Sequence, residues 1–137
     1  MPIETTLLRE GRVLLLRYTD PFDGREALAN TERYIREVYL PATQPIYSIS
    51  DFTGVTQVRL NMLNDGLKIL RRMPPTAAHL ALVTNTPVAN GIANTLGQML
   101  AKQNVAIYRS VDAAWAAVDV LLALENNAAA KNGGSAL

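Results

Sequence analysis

AHLALVT, residues Ala78–Thr84, is the stretch that decides the fold. Its centre is four consecutive apolar residues. Such a run is typical of a strand buried on both faces of a sheet, because a strand with one wet face alternates apolar and polar side chains. A second run of this kind, Val13–Leu16, follows the turn residues Arg9–Arg12, where Gly11 can adopt a positive φ. We therefore predict a buried strand at each run.

Helical patterns alternate with strand patterns along the rest of the chain. The predicted elements, in order, are a hairpin within Thr5–Tyr18, a helix to about Tyr39, a strand at Ile46–Phe52, a helix at Val58–Arg72, the strand at Ala78–Thr84, a helix from Thr86 to Asn104, a strand at Val105–Tyr108 and a helix from Ser110 to about Leu124. This ββαβαβαβα order predicts an α/β domain with right-handed crossovers. Its sheet is expected to be five-stranded, mixed and mostly parallel, with an antiparallel N-terminal hairpin strand and about four helices.

The composition suits one domain. The chain has 137 residues, of which 49% are hydrophobic, enough for a core. We predict that the domain spans residues 1–124 and that residues 125–137, rich in Asn, Ala and Gly, form a flexible C-terminal tail. The chain has no cysteine, which excludes disulfides, thiolate metal sites and cysteine nucleophiles.

The charges are balanced, with 13 basic and 12 acidic residues and a formal net charge of +1. A nucleic-acid surface normally shows a basic patch, and a polybasic membrane anchor shows a basic cluster, so we expect neither partner. No apolar run is long enough to cross a bilayer, and no signal-peptide pattern opens the chain. We therefore expect a cytoplasmic protein without membrane insertion.

Three short motifs resemble the STAS-like domains, and more closely the SpoIIAA-like family of small bacterial proteins. DFTGVT, residues Asp51–Thr56, is similar to the DLSGVT signature that ends the third strand of STAS domains. Ala78–Thr84 looks like the fourth strand of that family, and YRSVDAAW, residues Tyr108–Trp115, is similar to its strand-to-helix turn. The resemblance implies the fold predicted above and a protein-interaction or regulatory role without catalysis.

The phosphate acceptor of this family has no equivalent here. In anti-sigma-factor antagonists two serines and a glycine follow the DLSGVT signature, and the second serine accepts phosphate. Leu60 and Asn61 match the two serines, and Met62 matches the glycine. The resemblance therefore does not extend to the phosphorylation switch.

Polar residues follow the predicted parallel strands, where open α/β sheets gather ligands. The candidate strand-end ligand site comprises Asp20, Asp51, Thr53, Asn85 and Thr86. The favoured alternative is that such residues, with Asp23 and Ser110, cap helices. A receiver-type metal site is rejected, because Arg109-Ser110 replaces the lysine that would follow the last strand. His79, the only histidine, has no predicted nucleophile nearby, so we predict no catalytic residue, metal ligand or cofactor site.

The helix predicted at Val58–Arg72 carries two apolar stripes. The first suits the core and consists of Leu60, Leu63, Leu67 and Leu70. The second is the candidate interaction face and consists of Met62, Gly66, Ile69 and Met73. Either this face binds a protein partner, first of all a second copy in a homodimer, or it belongs to a wide core face.

Two functions remain open. The first is a non-enzymatic interaction or regulatory module that self-associates through the second stripe. The alternative is a carrier for a small apolar molecule such as a lipid, with the same methionine and leucine side chains lining a pocket between helices and sheet.

Overall fold

The computed structural model describes residues 3–57, 61–99 and 105–135, the last seven of them as backbone alone. Five strands form one sheet in sequential order. They are β1 (Ile3–Leu8), β2 (Val13–Thr19), β3 (Ile46–Gly54), β4 (Ala77–Val83) and β5 (Val105–Tyr108). β1 pairs antiparallel with β2, and the other neighbours pair in parallel. The predicted mixed α/β sheet is therefore confirmed.

The helices follow the predicted order. They are α1 (Gly24–Tyr34), which continues into a π-helical turn at Ile35–Tyr39, α2 (Asn61–Arg71), α3 (Pro87–Met99) and α4 (Val111–Ser135). The predicted start of the second helix near Val58 and the predicted end of the third at Asn104 lie outside the described residues.

The strand order explains why both faces of the sheet are covered. Each crossover advances to the next strand in the same direction, so right-handed connections leave α1, α2 and α3 on one face. The helix α4 follows β5, the last described strand of the sheet, and packs on the opposite face. Leu14 and Leu16 face α1, whereas Val13 and Leu15 face α4. Burial on both sides is the physical reason for the continuous apolar run of β2.

The predicted helix end near Leu124 is wrong, because α4 continues to Ser135. The end was predicted where the apolar period stops, but alanine-rich sequence propagates a helix without such a period. Glu125, placed in the tail by sequence, accepts hydrogen bonds from Arg12 (2.5 Å) and from the Tyr47 hydroxyl (2.6 Å). The packed domain therefore includes Glu125, and flexibility beyond it stays a prediction.

The turn between β1 and β2 holds α4 against the sheet. Arg9, Glu10 and Gly11 all have positive φ, although only the glycine was predicted to. Arg9 forms an ion pair with Asp119 (3.1 Å), and its guanidinium carbon lies 4.7 Å from the centre of the Trp115 ring. This turn and the Arg12–Glu125 pair therefore connect the beginning of the domain to its last helix.

Candidate functional site

A cavity of about 100 Å³, partly open to solvent, lies between the sheet and the helices α1, α2 and α3. Its floor is the helix-facing side of β2, β3 and β4, where Ser48 and Ser50 replace the bulky residues usual in a buried strand. Two small side chains in succession on one face leave room that leucines would fill. These serines were the signal in the sequence that could have indicated a cavity.

The second apolar stripe of α2 lines this cavity. Met62, Gly66, Ile69 and Met73 all contribute to its wall. Three of them are partly buried hydrophobic side chains packed against the core. Gly66 permits close contact with α3, because a Cβ atom at this position would lie 2.8 Å from Leu96 Cδ1. These residues therefore face inward, as the wide-core and pocket alternatives require, and the predicted partner contact stays a prediction.

Three aromatic rings form one part of the wall, and none of them was predicted from the sequence to be a site residue. Tyr18 stacks on Phe52 with ring centres 4.6 Å apart and planes at 3°. Phe22 meets both rings edge-on, at 5.8 and 6.1 Å. Such an aromatic cluster offers both ring faces and ring edges to an apolar ligand.

Two tyrosines of the wall differ in their hydrogen bonding. Thr31 donates its hydroxyl to the Ala27 carbonyl (2.8 Å), so the Tyr34 hydroxyl donates to Thr31 at 3.0 Å. Tyr18, by contrast, is only 4% exposed, and among the described residues no hydrogen bond involves its hydroxyl. Burial raises the pKa of Tyr34 to about 12 and that of Tyr18 well above its ordinary value, so both keep their protons.

The predicted strand-end residues make local hydrogen bonds instead of one shared site. The Asp20 carboxylate accepts from the backbone N–H of Thr56 (3.1 Å) and from its hydroxyl, and the side-chain hydrogen bond is the main reason that the pKa of Asp20 is lowered. Asp51 accepts from the backbone N–H of Thr53 (2.9 Å) and from its hydroxyl (2.7 Å). These hydrogen bonds stabilise the turn at the end of β3 and the loop that follows it.

The helix-capping alternative describes the other polar residues. Thr86 accepts from the Ala89 N–H (3.2 Å) at the start of α3, while Asn85 is exposed beside it. Asp23 accepts from the Arg25 N–H (2.8 Å), and Ser110 from the Ala113 N–H (3.1 Å). No hydrogen bond within residues 3–57, 61–99 and 105–135 joins the Asp20, Asp51 and Thr86 groups to each other. Nor do those ranges contain a group of three metal-ligating side chains.

His79 lies on the α4 face of the sheet, away from the cavity. Its Nε2 atom is 3.3 Å from the Tyr108 hydroxyl, and burial lowers the pKa of the imidazole. A neutral histidine beside a tyrosine, without a nucleophile, fits the predicted structural role better than an acid–base role.

A solved structure of similar architecture decides the fold. It is an uncharacterised protein from the DUF3478 family with a SpoIIAA-like fold, from Shewanella loihica PV-4. The TM-score is 0.57 at 11% sequence identity, and the match covers 82% of this chain and 89% of that chain. The fold is SpoIIAA-like. The resemblance predicted from the motifs is thus confirmed at the level of fold, which is all that 11% identity shows.

Other comparisons add no family for this SpoIIAA-like fold: no protein-family model and no curated protein matches the sequence.

Asn61, at the phosphate-acceptor position, is the first described residue of α2 and is exposed, and Met62, at the glycine position, lines the cavity. Leu60 lies outside the described residues. None of the helices in the described part of the SpoIIAA-like fold has the length and apolar character needed to cross a membrane.

Proposed function

We propose that this chain is a non-enzymatic STAS-type module that binds a small apolar ligand between its sheet and the helices α1, α2 and α3. The observation that carries the proposal is the cavity of about 100 Å³ with its apolar lining. Small-molecule sites are typically concave and mostly apolar, with a few polar groups that fix orientation. Ser48, Ser50 and Thr84 are such polar groups in this lining.

The polar groups of the cavity support binding better than catalysis. They are hydroxyls, and the part of the lining that the structure describes contains no histidine, carboxylate or amine to activate one of them. A hydroxyl is a weak nucleophile without an adjacent base, a metal or a lowered pKa. Burial instead raises the pKa of Tyr18 and Tyr34. The chemistry that remains is recognition of a ligand by shape and apolar contact.

The second apolar stripe of α2 does not support the interaction-module hypothesis. The side chains expected to bind a second copy of the chain line the cavity instead. Homodimer formation and binding of a protein partner therefore stay predictions without support from α2.

Native mass spectrometry of freshly purified protein tests the proposal. We expect the wild-type protein to carry a non-covalent apolar ligand, or to bind one from a panel of small hydrocarbons and raise its melting temperature. Ala93→Leu inserts bulk into the wall of the cavity and should abolish this binding. Ala116→Leu is the matched control, because Ala116 is exposed on α4 and takes no part in the lining.

The proposal is contradicted if the wild-type protein is isolated empty and the panel shifts its melting temperature no more than that of Ala93→Leu. Circular dichroism of the three proteins establishes that each is folded, so that a loss of binding reports on the cavity.

A further inference from the structure

We infer that the ligand is an uncharged, ring-sized molecule with one oxygen acceptor that takes a hydrogen bond from Tyr18. This inference rests on the proposed function and specifies the chemical class that the cavity selects. It depends on the charge of the lining, on one unpaired hydroxyl and on the aromatic part of the wall.

The lining favours an uncharged ligand. Among the described residues that line it there is no Lys, Arg or His and no Asp or Glu. An ion transferred into such surroundings loses its hydration and gains no opposite charge, which is costly. A carboxylate, as in a fatty-acid anion, would thus have to remain outside the cavity, whereas a ketone, an ester or a phenol could enter whole.

The Tyr18 hydroxyl supplies the polar contact. Tyr18 lines the cavity, is 4% exposed and has no hydrogen bond from its hydroxyl to any described residue. The hydroxyl remains protonated at ordinary pH because burial raises its pKa, so it is available as a donor. The hydroxyl thus has no acceptor among the described residues, and a ligand oxygen in the cavity would supply one.

Neighbouring tyrosines do not duplicate this role. The Tyr34 hydroxyl already donates to Thr31. The buried Tyr39 hydroxyl has no hydrogen-bond partner in the described part of the chain, but Tyr39 does not line the cavity. Tyr18 is therefore the tyrosine that lines the cavity and whose hydroxyl has no acceptor among the described residues.

The shape of the site favours a ring. Three rings of the wall pack by stacking and edge-on contact, with ring centres 4.6 to 6.1 Å apart; they belong to Tyr18, Phe22 and Phe52. Aromatic rings pack well in edge-to-face and offset-stacked arrangements. A closed apolar cavity of roughly 150 Å³ holds a single benzene ring. This cavity is smaller, about 100 Å³, but it is partly open to solvent, so a ring can bind without being fully enclosed.

Three ring compounds of similar size test the inference by isothermal titration calorimetry at pH 7.5. Acetophenone carries a neutral carbonyl, isopropylbenzene replaces it with carbon, and benzoate carries a charge. We expect acetophenone to bind at least about tenfold more tightly than benzoate. Tyr18→Phe should weaken acetophenone about three- to tenfold and leave isopropylbenzene unchanged. Tyr108→Phe is the matched control, because it removes a tyrosine hydroxyl that lies beside His79 on the α4 face of the sheet, outside the cavity.

Each outcome separates the inference from the proposed function. If none of the three compounds binds any of the folded proteins, the cavity is not a ligand site and both fail. If isopropylbenzene binds but acetophenone gains nothing from Tyr18, or if benzoate binds as tightly as acetophenone, the cavity remains a site and the inference is overturned. Equal losses in Tyr18→Phe and Tyr108→Phe would also overturn it.

Discussion

Gly54 ends β3 beside the point where the pairing of β2 with β3 changes register, between Arg17 and Thr19. A Cβ atom at Gly54 would lie 2.8 Å from the Tyr18 carbonyl oxygen and 2.9 Å from Thr19 Cγ2. The carbonyl belongs to the backbone of a central strand and cannot move aside as a flexible side chain can. This close contact explains why the DFTGVT motif has a glycine at this position, independently of any ligand.

We predict that Gly54→Ala lowers the free energy of unfolding by about 1–3 kcal/mol, as measured by urea denaturation, because the new methyl group overpacks this contact. Gly97→Ala is the control. Nothing lies within 4 Å of a Cβ atom at Gly97, which is inside α3, so this change should stabilise the helix by up to about 1 kcal/mol. Equal destabilisation by the two changes would contradict the explanation.

At the scale of an element, α4 is attached through Glu125. Burial alone would raise the pKa of this carboxyl, but hydrogen bonds from Tyr47 and Arg12 and the charge of Arg12 lower it below its ordinary value. The Arg12 side chain is only 13% exposed, so removing its partner leaves a largely enclosed cation. Part of the attachment of α4 therefore depends on a residue that was predicted to lie in a tail.

We predict that Glu125→Ala lowers the free energy of unfolding by about 1–3 kcal/mol at pH 7. Asn126→Ala, at the exposed neighbouring position, should not change it. A chain that ends after Glu125 should melt at nearly the temperature of the full chain, because the contacts of Glu125 remain. A large loss of stability in that truncated chain would show that residues beyond Glu125 pack on the domain.

The pH dependence of the same variants follows from the lowered pKa of Glu125. A carboxyl whose folded pKa is depressed contributes stability above its unfolded value, and this contribution is lost as the pH falls through the folded pKa. The difference in stability between the wild-type protein and Glu125→Ala should therefore shrink below about pH 4.5 and disappear at lower pH. A difference that stays constant down to pH 2 would exclude the ionised contact as its cause.

The orientation of α2 gives a further test. Ile69 and Met73 pack against the core and line the cavity, whereas Lys68 is exposed on the same helix. We predict that Ile69→Asp with Met73→Lys lowers the melting temperature strongly, because both new charges enter an apolar lining, where pairing with each other does not repay their lost hydration. Lys68→Asp should leave it almost unchanged. A folded double variant that changes only its sedimentation would indicate an outward face and contradict the structure.

For the molecule as a whole, the strands were predictable and the cavity was not. Doubly buried strands leave apolar runs, and so β4 and β5 lie within one residue of their predicted bounds, whereas β2 extends three residues beyond the predicted run Val13–Leu16. The direction of the second α2 stripe depends on where α3 packs, which no local pattern determines. The positive φ of Arg9 and Glu10 likewise follows from the hairpin geometry, since neither residue favours that conformation by itself.

The site was predictable in part. Met62, Gly66, Ile69 and Met73 were singled out by their helical spacing, and the structure brings all of them to one cavity. Tyr18, Phe22 and Phe52 were missed because they come from two strand ends and a loop, and only the parallel pairing of β2 with β3 brings them together. The polar strand-end residues were visible in the sequence, but their partners lie in turns and caps.

The ion pairs between the first hairpin and α4 bear on how the chain is completed during synthesis. Arg9 and Asp119 are 110 residues apart, and Arg12 and Glu125 are 113 apart. A ribosome that adds about 5–20 residues per second needs on the order of ten seconds between them. Val13, Leu15 and Ile49 lack the cover of α4 during that interval. We therefore expect the nascent chain to be a substrate for ribosome-associated chaperones until its last helix emerges.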